Sequence, residues 1–110
     1  MPDAVEIGVD PTSGRAVLML RGAFDVRTTS EVRQAIYDHI VGRDEDLVID
    51  MTQVEVVDLT ALRVLAVATR QAAKRERHLT LRGCGPTVRR MLHLSRLARA
   101  VEVERVAASA

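Results

Sequence analysis

The chain reads as an α/β protein: a single domain over residues 1–110, with an ordered core over roughly 4–105, in which a mixed sheet of about five strands has helices packed on it. Three observations carry this. Apolar residues alternate with polar ones near the N-terminus, the period of a strand. At Asp58 the apolar spacing changes from every second residue to every third or fourth, so a strand gives way to a helix. The order that follows, strand, strand, helix, strand, helix, strand, helix, strand, joins the later strands by helical crossovers. At 110 residues the chain is long enough for one core and too short for two ordinary domains. Apolar residues make up 47% and charged residues 28%, a globular balance, and with Phe24 and Tyr37 the only aromatics the core must be built from Val, Leu, Ile and Ala.

Val5, Ile7 and Val9 alternate with Glu6 and Gly8, which gives a strand with one wet face. Pro11 to Gly14 make a turn, and Ala16 to Leu20 form a more fully buried strand ending at Gly22, so the pair reads as an antiparallel hairpin. Thr28 and Glu31 then have capping-box spacing. Val32, Ala35, Ile36 and Ile40 are the stripe of a helix that runs to Gly42, a natural C-cap. Asp44, Glu45 and Asp46 form a solvated turn, because they lack the spaced ligands and glycine of a calcium loop.

Leu47 to Met51 is apolar enough for a central strand. A polar step at Thr52 and Gln53 leads to a second apolar run, Val54, Val56 and Val57, and then to Asp58, whose carboxylate is placed to cap a helix by accepting from the N–H of Thr60 or Ala61. Leu62, Leu65, Ala66, Thr69 and Ala73 fall on one face of that helix. Val64 and Val67 lie beside the stripe, so the helix either packs on two sides or keeps an apolar strip for a partner. His78 to Leu81 form another strand, Gly83 to Pro86 turn the chain, and Pro86 opens a helix that buries Val88, Met91 and Leu92 while Arg89, Arg90 and His93 face out. Val101 and Val103, alternating with Glu102 and Glu104, make a short edge strand, and the tail Ala107 to Ala110 is expected to be loose.

Composition excludes several classes. No apolar run approaches the roughly 18 residues of a membrane span, and MPDAVEIG lacks the basic start and apolar middle of a signal peptide, so a cytoplasmic protein with no membrane insertion is expected. Cys84 is alone, which rules out an internal disulfide and fits a reducing compartment. It has no CxxC partner, and His39, His78 and His93 sit on three separate elements as surface or boundary imidazoles, without ligand spacing, so no metal site is expected. Gly83 to Pro86 lacks the lysine and length of a P-loop and the third glycine of a dinucleotide fingerprint, which leaves no cofactor motif. Nothing places Cys84 beside His93 as nucleophile and base, so no enzyme is expected. Five Arg stand against twelve Asp and Glu up to Leu62, whereas eleven Arg and Lys stand against three Glu from Arg63 on. That asymmetry raises a basic face and with it nucleic acid or an acidic membrane. Against nucleic acid, there is no aromatic stacking platform and no DNA-binding motif, and the arginines spread over two helices and two strands.

From Leu47 to Val103 the order of features resembles the STAS domain family, the anti-sigma-factor antagonists and their relatives. The resemblance rests on the strand LVIDM, the step VEVVDLTAL where the family usually reads Asp-Ser-Ser-Gly-Leu, the strand HLTLRG, the segment GCGPTVRRMLHLS and the closing LARAVEVE. Upstream, RGAFDVRTTSEVRQAI is similar to the family's Gly-Glu-Leu-Asp segment and first helix. The resemblance implies a STAS-like fold and a regulatory module that docks a histidine-kinase-like anti-sigma factor and thereby frees a sigma factor. In such antagonists the residue after the Asp is the serine that the anti-sigma factor phosphorylates, which breaks the complex by adding about −1.5 to −2 charge at the interface.

Here that position is Leu59, which has no hydroxyl. Thr60 matches the family's second serine and points about 100° away around the helix. Its hydroxyl reads first as a local hydrogen-bonding group and second as a phosphoacceptor. Ala61 replaces the family's glycine and is expected to add a methyl to the contact surface. Asp25 matches the Asp of the Gly-Glu-Leu-Asp segment, with Ala23 for its Glu and Phe24 for its Leu, and reads as a turn cap before Thr28 at least as well as a partner contact. The expected partner-binding residues are therefore Asp25, Asp58, Leu59, Thr60, Ala61 and Arg63. The alternative is a non-switching STAS subunit of a transporter or stress-signalling complex, and a homodimer stays open.

Overall fold

Strand-forming residues that bury both of their neighbours belong in the middle of a sheet, and the apolar run at Leu47 takes that place. The computed structural model describes residues 4–10 and 14–104. The turn expected over residues 11–13 and the tail Ala107 to Ala110 lie outside the described residues. Strand β1 (Ala4–Val9) pairs antiparallel with β2 (Ala16–Phe24), helix α1 (Thr29–Tyr37) passes into a π turn at Asp38–Gly42, and β3 (Leu47–Val57) follows. Helix α2 (Leu59–Lys74), β4 (Leu79–Arg82), helix α3 (Pro86–Leu94), a 3₁₀ turn (Ala98–Ala100) and β5 (Glu102–Val103) complete the described chain. The five strands stand in sequence order, and each pair after the first is parallel. The mixed sheet, the opening hairpin, the central third strand and the short edge strand are as the sequence predicts.

Leu18, Leu20, Ile49, Met51, Leu79 and Leu81 point to one face of the sheet, where they join Val32 and Ile36 of α1, Leu62 and Leu65 of α2, and Val88 and Leu92 of α3 in one continuous core. All three helices thus pack on one side. The alternate residues face the other way, where Val17 and Val48 are buried and charged side chains lie around them. There Arg21 pairs with Glu6 at 2.7 Å, and Arg82 reaches Asp10 at 2.9 Å and Glu104 at 3.2 Å.

Several boundaries differ from the expectation, each for a physical reason. Thr52 and Gln53 do not end the third strand; they are exposed residues of a β3 that runs on past β4, which pairs only with Leu47 to Asp50. Opposite this extension β3 carries one extra residue against Met19–Arg21 and another against Gly22–Ala23, and these bulges let the strand bend away from the sheet. The capping box does not form. The Thr28 hydroxyl instead donates back to the Ala23 carbonyl (3.1 Å) and accepts from the Asp25 N–H (3.2 Å). Gly42 is not the left-handed residue that closes the first helix; Asp44 is, with φ 54°. The widened π turn also carries His39 inward. It is 3% exposed, with Nδ1 3.1 Å from the Glu45 carboxylate, rather than a surface or boundary imidazole. Val9, expected on the buried side of its strand, is exposed.

The acids of the turn are used one by one: Asp44 pairs with Arg77 at 2.9 Å, and Asp46 accepts from the His78 N–H at 2.9 Å. Among the described residues no three acids, histidines or cysteines converge as metal ligands, and no helix is long and apolar enough to cross a membrane. On α2 the buried arc is wider than the predicted stripe, taking in Ala61, Val64, Ala68 and Ala72, while Ala73 is exposed. Val64 packs inward and Val67 stays in solvent, so the two flanking valines have opposite fates.

Gly83 follows β4 at φ +70°, and a Cβ added there would collide with the Thr52 hydroxyl. Gly83→Ala is therefore expected to cost about 2–4 kcal/mol through left-handed strain and overpacking together. Gly42→Ala, which meets nothing, should stay within about 0.5 kcal/mol. Urea unfolding of the two variants measures the contrast.

Candidate functional site

At the end of β3 the Val57 side chain turns into the core, and Asp58 follows in an extended conformation (φ −114°, ψ 174°) that folds its carboxylate over the first turn of α2. Oδ1 accepts from the Ala61 N–H at 2.8 Å, the N-cap bond the sequence predicts. Oδ2 accepts from the Val26 N–H at 3.0 Å. One side chain therefore holds the helix start and the loop after β2 together. The second bond joins residues 32 apart, and no local pattern announces it.

Asp25 is a turn residue first. Its Oδ1 accepts from the Arg27 N–H at 3.0 Å, and the Arg27 guanidinium grips the same carboxylate, the shortest contact being 2.8 Å. The side-chain hydrogen bond from Arg27 holds the Asp25 carboxyl below its ordinary value of 3.8, against an opposing desolvation. With both oxygens engaged, Asp25 sets the shape of the loop that carries Val26.

Leu59, the first residue of α2, is 39% exposed, and Thr60 and Arg63 are exposed beside it. The Thr60 hydroxyl finds no partner among the described residues, so the local bond expected of it is not formed. Ala61 corrects the expectation. At 0% exposure its methyl belongs to the core and adds nothing to the surface, because the third residue of α2 faces the sheet. Sequence reasoning missed Val26 and Val56, which are 66% and 54% exposed at the same end of the sheet. For Val56 the readable signal was strand alternation, since it neighbours the inward-facing Val57 and so faces out. Val26 lies in the turn after β2 and carries no such signal.

Beside this apolar group, Arg21 to Ala23 and Thr52 to Val56 line a concavity of about 560 Å³ on the part of the β2–β3 ribbon that extends past β4. Its Arg21 is already engaged by Gln53 at 3.1 Å. Cys84 is buried, and desolvation raises its thiol above the ordinary value, which keeps it protonated and poorly nucleophilic. His93 is exposed on α3.

Three comparisons bear on this geometry. A family model described as "Mlab, STAS domain" matches residues 7–104. The anti-sigma-F factor antagonist RsfB of Mycobacterium tuberculosis is 30% identical over 93 residues, spanning 84% of this chain and 75% of that protein. Among solved structures, an anti-sigma factor antagonist from Mycobacterium paratuberculosis superposes with a TM-score of 0.77 at 28% identity, covering 96% of this chain and 90% of that one. The anti-sigma factor antagonist SpoIIAA in its unphosphorylated form shares the fold, with a TM-score of 0.71 at 13% identity over 94% and 90% of the two chains.

Removing the Asp58 carboxylate in Asp58→Ala is expected to cost about 2–3 kcal/mol, since a cap and a charge-assisted tether go together. Asp58→Asn, which keeps the cap, should cost about 1 kcal/mol; denaturant unfolding reads both. The lowered Asp25 carboxyl contributes stability that is fully present above its unfolded midpoint near 3.8 and is lost as pH falls through the lower folded midpoint. Arg27→Gln should therefore raise the Asp25 midpoint toward 3.8 in a carboxyl-detected NMR titration and shrink this acid-linked loss of stability.

Proposed function

Because the chain belongs to the STAS domain family, we propose that it is a regulatory protein-binding module of the anti-sigma-factor-antagonist kind, which docks a histidine-kinase-like anti-sigma factor in the cytoplasm and so frees a sigma factor. The observation that carries this reading is the exposed Leu59 at the start of α2, with Val26 and Val56 exposed at the same end of the sheet. Burying such side chains against a partner contributes roughly 25 cal/mol per Å² of apolar surface before the costs of association. Arg63 lies one helical turn beyond Leu59 on the same exposed side and supplies a cation for an acidic group on the partner. Asp58 and Asp25 act by position, fixing the two backbone segments that present Leu59 and Val26.

The same site lacks the means of release found in a phosphorylated antagonist. A phosphoryl group at the helix start would set charge against an apolar contact, and Leu59 cannot accept one. Docking is then governed by concentration and competition rather than by modification at this position. A non-switching STAS subunit of a larger complex would use the same unmodifiable surface, and the missing hydroxyl supports that second reading equally.

The test uses the cognate histidine-kinase-like anti-sigma factor in a calorimetric binding assay with and without ATP. The wild-type chain should bind alike in both conditions. Leu59→Ser should bind without ATP and lose at least tenfold with it, and Leu59→Asp should be at least tenfold weaker throughout. Phosphate recovered on Thr60 together with loss of binding rejects the proposal. Absence of binding to that kinase, with a stable unrelated complex recovered by co-purification, selects the second reading.

A further inference from the structure

Between Asp58 and Glu102 the chain carries ten Arg and Lys and a single acid, Glu76. Some of these cations are satisfied within the fold: Arg77 by Asp44, Arg82 by Asp10 and Glu104, and Arg89 by the Cys84 carbonyl at 2.9 Å. Arg96 and Arg99 take no ion-pair or hydrogen-bond partner for their side chains among the described residues, nor does His93. These three residues, with Ala98, line one hollow of about 350 Å³ where α3 gives way to the 3₁₀ turn.

The backbone makes this gathering less incidental. Arg96 occupies the left-handed position that closes α3 (φ 64°), with its N–H donating to the His93 carbonyl at 3.1 Å and the Leu97 N–H to the Leu92 carbonyl at 3.0 Å. Glycine is the usual residue there, because a side chain is strained in that conformation. The negative end of the α3 dipole accounts for an imidazole at His93, but its field fades within the last turn and leaves Arg99 unexplained.

We propose that this hollow binds a phosphate monoester group. Two guanidinium forks and an imidazole offer more N–H donors than the roughly four lone-pair sites of a carboxylate can accept. A monoester, with three terminal oxygens and a charge of about −1.5 to −2, matches both the donor count and the concentration of positive charge. The hollow is remote from the Leu59 surface. Asp58 follows the C-terminal end of β3, whereas the 3₁₀ turn precedes the N-terminal end of β5, and the two strands run in the same direction through β4. Phosphate binding here is thus separable from partner docking.

The experiment is a titration of the ¹⁵N-labelled full chain at constant ionic strength, with glycerol 3-phosphate in one arm and vesicles containing phosphatidic acid in the other. Sodium chloride and a DNA duplex serve as controls. Arg96→Gly keeps the fold, since glycine suits that backbone, and it is read alone, with Arg99→Gln alone, and in combination. Saturable shifts centred on residues 93–99, with affinity at least tenfold lower in the double variant, support the site. If only the vesicles bind, with the same sensitivity to the two substitutions, the phosphate is that of a lipid headgroup. Absence of saturation in both arms, shifts reproduced by chloride, affinity unchanged in every variant, or binding to duplex without binding to either monoester overturns it.

Discussion

The carboxylate of Asp58 is the constraint on which the candidate docking end of the molecule depends. One oxygen caps α2 and the other holds the loop after β2, so two segments far apart in sequence are locked at the mouth of one crossover. Without that bridge the positive end of α2 would have an unsatisfied N–H, and the Val26 loop would keep only its local turn bonds, with no side-chain tether to the helix start. The exposed apolar residues at this end are therefore held in place by polar ones. For the proposed docking role, that division of labour suits a surface that stays wet when alone and dry when bound.

The sheet sets the stage through its one-sided packing. Leu, Ile and Val side chains of β2, β3 and β4 face three helices, and α2 fits close against them because small residues, Ala61, Ala68 and Ala72, line its inner face. This is why Ala61 serves the core rather than the surface. A larger side chain there would push α2 off the sheet and displace Leu59 with it. The β2–β3 ribbon, bulged twice on β3, carries Val56 out beyond the packed layer.

Much of this was legible in the residues because the signals were local. The change of period at Asp58, the N-cap carboxylate, the stripe of α3 and the alternation around Val101 each depend on residues within one or two turns of each other, and the fold class follows from their order. What escaped depends on tertiary contact. Thr28 has the spacing of a capping box, but its hydroxyl is drawn back to Ala23 and Asp25 by the turn that Arg27 closes. The polar step at Thr52 reads as a strand end, yet bulges carry the strand through it. His39 looks like a surface residue until the π turn rotates it inward toward Glu45. At the site itself, Leu59 and Arg63 were readable from the helix start. Val26 was not, because only the fold brings its N–H to Asp58.

Arg82 sits on the helix-free side of the sheet and divides its guanidinium between Asp10, just past β1, and Glu104, just past β5. Those two strands are the outermost pair of the sheet, and the segments just beyond them meet at one cation. Fraying at either margin would leave Arg82 to the remaining acid alone, so the two rims share one cation and added salt should weaken both contacts together.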